Sequence, residues 1–234
     1  NPNIMCRTKH LSFKHVVIIV CICIYSIPSF SQQTEWSEIA PGVWRTILGS
    51  PEDFNLLKVT GAVPNTAAIA KMGKAEFPFE AGDIHWQTTE GNTTLRLPLE
   101  RGEQIYGFGL NFKTVHQRGQ ILKLHVDHYG GIDNGRTHAP VPFYVSSKGY
   151  GVFINSARYI DVYAGSSARK DSKDAPEARD RNSDKNWTSR PYSDALEMLI
   201  PAQGVEVYVF GGPKPLDAIK RYNLLNGGGP IPPR

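Results

Sequence analysis

Much of the chain alternates apolar and polar residues with a period of two. Over residues 93–99, Leu95, Leu97 and Leu99 fall on one face, and Thr94, Arg96 and Pro98 fall on the other. That pattern predicts a half-buried strand. Gln120–Val126 alternates in the same way through Leu122 and Leu124. Residues 42–48 and 54–60 are predicted strands on either side of Gly49-Ser50-Pro51. Three closely spaced strands are predicted at 141–147, 151–155 and 159–163, and a last hairpin at 195–200 and 205–210 turns at Pro201-Ala202-Gln203-Gly204. Many short strands with Gly and Pro turns predict an all-β sandwich.

Two stretches break the pattern. Over residues 215–225, Leu216, Ile219, Tyr222 and Leu225 recur at helical spacing, with Pro215 suited to the first turn and Gly227 to the stop. This is the one helix the sequence predicts. Residues 166–190 are rich in Ser, Asp, Lys, Arg and Asn, with Trp187 their only large apolar side chain. They are predicted to form a long, solvated, mobile loop.

The N-terminus carries a different signal. Met5 is followed by Arg7, Lys9 and Lys14, then by an apolar run over 16–25, then by Pro28 and the small residues of Ser29-Phe30-Ser31. A basic start, a short apolar stretch and a small-x-small site predict a secretory signal peptide over 1–31, read from Met5. The apolar run falls short of the roughly 20 residues of a spanning helix. The expected location is secreted or periplasmic, with no membrane partner after cleavage. Cleavage leaves a domain over 32–225 and lowers the formal charge from +4 to +1, because three basic residues and no acidic ones are lost. Such a balance carries no electrostatic footprint for nucleic acid. Cys6, Cys21 and Cys23 all lie in the leader, so no disulfide or thiolate metal site is expected in the domain, and no cofactor. Residues 226–234, Asn226-Gly227-Gly228-Gly229-Pro230-Ile231-Pro232-Pro233-Arg234, have the composition of a linker to a further domain.

Six short motifs in a fixed order add to this picture. They are Ile105-Tyr106-Gly107-Phe108-Gly109-Leu110, Arg118-Gly119, Asp127, Ala139-Pro140-Val141-Pro142-Phe143-Tyr144, Gly149-Tyr150-Gly151-Val152-Phe153-Ile154-Asn155, and Val207-Tyr208-Val209-Phe210-Gly211-Gly212-Pro213, continuing to Pro230-Ile231-Pro232-Pro233-Arg234. Together they resemble the N-terminal domain of family 31 glycoside hydrolases. The resemblance is close from Glu103 to Arg234 and loose before Gly102.

It implies a galactose-mutarotase-like β-sandwich with one C-terminal helix leading to a (β/α)8 barrel outside this sequence. It also implies retaining hydrolysis of α-linked glycosides, which uses two carboxylates about 5–5.5 Å apart. In this family both sit on the barrel, so no catalytic residue is assigned here. The expected partners are an α-linked oligosaccharide or glycoside and the protein's own barrel.

The family's N-terminal domain sends a loop to the mouth of the active site, with an aspartate that hydrogen-bonds sugar hydroxyls. Asp127 is the matching position, and His125, His128 and Tyr129 beside it complete the expected substrate-binding set. The family's usual tryptophan is replaced near Leu124-His125, and its Gly-Leu-Gly-Glu reads Gly107-Phe108-Gly109-Leu110. A carboxylate accepts two hydroxyl donors, and an aromatic ring offers an apolar face to a sugar.

Other readings of the same residues are weaker. His125, Asp127 and His128 suggest a metal site, but strand alternation turns His128 away from the other two, so no metal is expected. Trp36, Trp44 and Trp86 are expected in the core. Trp187 is expected either to stack on a glycan or to dock on the barrel. A free-standing carbohydrate-binding module of the same fold is the alternative function. An aldose mutarotase ranks below it, because that chemistry needs a glutamate and none occurs from Gln104 through Pro176.

Overall fold

A computed structural model describes residues 34–111, 113–127, 136–169, 171–173, 175, 177 and 180–228. The leader therefore lies outside the described residues, as do residues 229–234 of the proposed linker. The leucine alternation becomes strand β4 (Asn92–Pro98), with Leu95, Leu97 and the following Leu99 all buried. It pairs with β3 (His85–Thr89) in an antiparallel hairpin. The remaining strands are β1 (Ser37–Ala40), β2 (Val43–Gly49), β5 (Ile105–Leu110), β6 (Gln120–Val126), β7 (Arg136–Thr137), β8 (Ala139–Ser146), β9 (Gly151–Asn155), β10 (Ile160–Ser166), β11 (Tyr192–Ile200) and β12 (Gly204–Phe210).

They form two six-stranded sheets. The first runs β1-β2-β12-β9-β8-β5 and the second β3-β4-β11-β10-β6-β7. Every pairing is antiparallel except β6 with β7. The main core lies between the sheets, with Leu48, Val152, Ile154, Val205 and Val207 facing Leu95, Leu97, Leu122, Val162 and Leu196. Trp44 is buried in it, and Trp36 and Trp86 pack at its margin.

The outer face of the first sheet is apolar and covered. Helix α3 (Pro215–Leu225) lies across β8, β9 and β12, and its Tyr222 ring stacks on Phe143 with centroids 3.9 Å apart. Two short helices, α1 (Leu56–Val59) and α2 (Thr66–Ala70), add to the same cluster through Leu56, Leu57 and Ile69. The predicted strand over 54–60 is thus a helix. Its Asn55 side chain accepts from the Lys58 backbone N–H at 3.1 Å, an N-cap that starts a turn. The run Leu56-Leu57-Lys58-Val59 lacks the alternation a half-buried strand needs.

The predicted hairpin over 195–210 is also corrected. β11 lies in the second sheet and β12 in the first, so residues 201–203 carry the chain across the core. Ala202 is buried in that crossing, and its carbonyl accepts from the Thr93 hydroxyl at 2.8 Å. A two-sided core rewards this as much as a turn does, because each strand still alternates. The polar segment after β10 is partly tied down as well: Ser166, Ser167 and Ser172 are buried, and Arg169 reaches Glu197 on β11.

One irregularity shapes the region beside β6. In β5, Gly107, Phe108 and Gly109 all have positive φ, at 118°, 63° and 91°. The register with β8 slips between the two glycines. A Cβ on Gly109 would lie 2.0 Å from the Ala139 carbonyl oxygen, so only glycine allows this approach. The bulge turns Phe108 into the core against Tyr144.

Candidate functional site

Three of the sequence motifs, the glycine run of β5, Asp127 and the start of β8, meet where β6 ends. Leu122 and Leu124 face the core, so Lys123 and His125 face outward by alternation. The register of β6 against β10 pairs Leu124 with Ile160, which sets His125 opposite Tyr159. Their rings stack with centroids 4.0 Å apart and an interplanar angle of 21°. Tyr159 is 61% exposed, so the face it turns away from His125 meets solvent.

Asp127 follows directly after the strand. Its backbone N–H donates to the Thr137 carbonyl at 3.1 Å, and an Arg136 guanidinium nitrogen lies 3.4 Å from its Oδ2. Thr137 is buried, and the next N–H, that of His138, donates to the Leu110 carbonyl at 3.1 Å. The ends of β5, β6 and β7 are therefore laced together by backbone bonds. That lacing fixes the direction in which Asp127 leaves the sheet. The glycine bulge in β5 is what brings Leu110 into this arrangement.

Two of the four predicted site residues, His125 and Asp127, thus sit together. His128 and Tyr129 lie outside the described residues. Arg136 joins the pair through Asp127. Tyr159, which the sequence reading did not single out, adds an aromatic ring to this group through its stack on His125. Its strand was predicted, but its partner depends on which strand lies beside β10. Trp187 is exposed in the polar segment, with the Arg181 guanidinium 5.6 Å from its ring centroid.

Chemically, this end of the sheet offers a carboxylate, a guanidinium and a half-open aromatic stack. A carboxylate accepts from hydroxyls, a guanidinium donates to them, and a ring face packs on the apolar face of a pyranose.

Comparison with known proteins follows the same lines. Residues 52–162 match the family model described as the glycosyl hydrolase 31 N-terminal galactose mutarotase-like domain. The chain is 28% identical over 138 residues to alpha-xylosidase XylQ of Lactiplantibacillus pentosus, covering 59% of this chain and 15% of that protein. It is 26% identical over 138 residues to an alpha-xylosidase of Emericella nidulans, covering 59% of this chain and 14% of the relative. The chain therefore spans only a small part of the curated relatives it matches. The structure of the Flavobacterium johnsoniae GH31 dextranase FjDex31A complexed with glucose aligns with a TM-score of 0.55 at 15% identity, covering 86% of this chain and 26% of that one. At that identity the likeness concerns the fold.

Proposed function

We propose that this chain, whose residues 52–162 match the glycosyl hydrolase 31 N-terminal galactose mutarotase-like domain model, serves as the carbohydrate-contacting and structural domain of an exported α-glycosidase. In this reading, Asp127 accepts hydroxyls of the bound sugar while the His125–Tyr159 stack supports its ring. The observation that carries the reading is the placing of Asp127 and Arg136 beside that stack at one end of β6. The alpha-xylosidase relatives favour an α-linked substrate. The basic and apolar leader favours export.

The two carboxylates of a retaining mechanism belong, in this proposal, to a catalytic domain outside the chain. The chain alone is then inert, and its contribution is to substrate binding and orientation. In the whole enzyme, Asp127→Ala is expected to lower kcat/KM toward nitrophenyl α-xyloside by about tenfold or more, the loss of one or two hydrogen bonds to a charged acceptor. An unchanged kcat/KM would remove Asp127 from the site. Turnover of nitrophenyl α-glucoside, α-xyloside or α-galactoside by this chain alone would refute the division of labour.

A further inference from the structure

The polar excursion between β10 and β11 leaves and rejoins the second sheet at the end opposite Asp127. Ser166 pairs with Tyr192, the Ser167 N–H donates to the Pro191 carbonyl at 2.9 Å, and the Arg190 guanidinium donates to Gln120 Oε1 at 2.9 Å. Gln120 is the first residue of β6, and Asp127 follows its last. At about 3.3 Å per residue, the strand sets its two ends roughly 20 Å apart.

Trp187 lies three residues before the anchor at Arg190. It is 42% exposed, a large apolar surface to leave in water. The backbone holds it there. The Trp187 N–H donates to the Asp184 carbonyl at 3.1 Å, and the Asn186 N–H donates to Asp184 Oδ1 at 2.8 Å. The Asp184 N–H donates to the Asp180 carbonyl at 2.9 Å, and the Asp180 carboxylate accepts from the Asn182 N–H and the Ser183 hydroxyl. Two consecutive turns thus present an aromatic ring to solvent. An exposed ring held in place in this way costs little entropy when a ligand binds it.

The surroundings define the ligand. Every other residue from Asp180 to Arg190 is polar, so a single ring stands where a protein-docking patch would need several hundred Å² of apolar surface. Arg181, Lys185 and Arg190 stand against Asp180 and Asp184, so no strong field selects a polyanion. The Arg181 guanidinium lies over the ring, 5.6 Å from its centroid, and carries donors for hydroxyls. A pyranose offers an apolar face to the indole and hydroxyls to the polar groups around it. From these observations we infer that Trp187 is the platform of a second carbohydrate-binding site, which takes a neutral oligosaccharide. It is separate from the site at Asp127 and does not rest on that assignment.

The test is a titration of the chain with isomaltotriose, maltotriose and cellotriose in turn, followed by the NMR signal of the Trp187 indole N–H. That signal is assigned with Trp187→Phe. At least one trisaccharide is expected to move it saturably, and inorganic phosphate is expected not to. Calorimetry with that sugar should show Trp187→Ala weakening the affinity about tenfold or more at unchanged Tm, while Trp187→Tyr, which keeps an aromatic face, loses less. Asp127→Ala should leave the Trp187 response in place. In the whole enzyme, Trp187→Phe should lower the indole fluorescence that acrylamide can quench.

The inference falls if no trisaccharide moves the signal, if phosphate alone does, or if Trp187→Ala binds as tightly as the parent chain. It falls if Asp127→Ala abolishes the response, since the sugar is then held at Asp127 and only the earlier reading survives. It falls equally if Trp187→Phe leaves the quenchable fluorescence of the whole enzyme unchanged, because another domain then covers the ring.

Discussion

Arg221 is the side chain whose loss should cost this fold most. It sits on α3, is 1% exposed, and donates to three backbone carbonyls and to no carboxylate. Nε reaches Pro41 O at 3.1 Å, Nη1 reaches Gly211 O at 2.8 Å, and Nη2 reaches Gly73 O at 3.0 Å. One guanidinium thus ties the last helix to the β1–β2 turn, to the exit of β12 and to the segment after α2. Burial pushes its pKa down, and Asp217 partly opposes this. Hydrogen bonds to charged groups contribute about 1.5–3 kcal/mol each, but the cost of burying the charge offsets much of that sum.

Arg221→Met removes the charge and its burial cost together. The three carbonyls remain and lose their donor. Three carbonyls left without a donor, at roughly 1–3 kcal/mol each and less the burial cost that leaves with the charge, make the expected net loss about 3–5 kcal/mol. With a urea m-value of about 2–3 kcal/mol per molar, the unfolding midpoint should fall by roughly 1–2 M. Arg221→Lys should recover less than half of this, because an ammonium cannot span three carbonyls in the plane of a guanidinium fork. A midpoint shift below about 0.4 M for Arg221→Met, at unchanged m, would refute the reasoning. It would mean that repacking, and not the carbonyl contacts, sets the stability there.

Other outcomes follow from the same structure. Gly109→Ala forces a Cβ to within 2.0 Å of a backbone oxygen at φ 91°; it should cost about 3 kcal/mol or more, seen as a lower Tm, and Gly61→Ala, with open space around it, should cost far less. Tyr159→Ala should change stability by no more than about 0.5 kcal/mol, because the ring is largely exposed, yet weaken sugar affinity in the whole enzyme, while Tyr159→Phe retains it; equal affinity in Tyr159→Ala would remove the platform role. Burial raises the pKa of Tyr144, Tyr150 and Tyr222 above the ordinary phenol range. Their stabilising effect is complete below the unfolded value of about 10 and is lost as pH rises above it, so urea midpoints should fall above about pH 10 with phenolate absorbance appearing as the chain unfolds. Full phenolate absorbance from a still-folded chain would contradict this.

The sequence by itself determined which residues face inward, because alternation is a local property. Leu95, Leu97 and Leu99 were legible as one buried face, and the 215–225 helix was legible from its own spacing and its Pro and Gly ends. The ordered motifs made the domain family legible and pointed to Asp127. What alternation cannot specify is the neighbour. A strand with one apolar face satisfies either sheet, so only the tertiary structure decided that β11 and β12 lie on opposite sides of the core. The same applies to Tyr159, whose ring meets His125 only because β6 pairs with β10. It applies again to Glu197, a carboxylate in an otherwise apolar run, which is buried beside Arg169 and paired in register with Arg96 of β4. Period and propensity act over a few residues, whereas pairing and burial depend on strands far apart in sequence. For that reason the motif that points to Asp127 was readable from the chain, and the stacking of Tyr159 on His125 and the pairing of Glu197 with Arg96 were not.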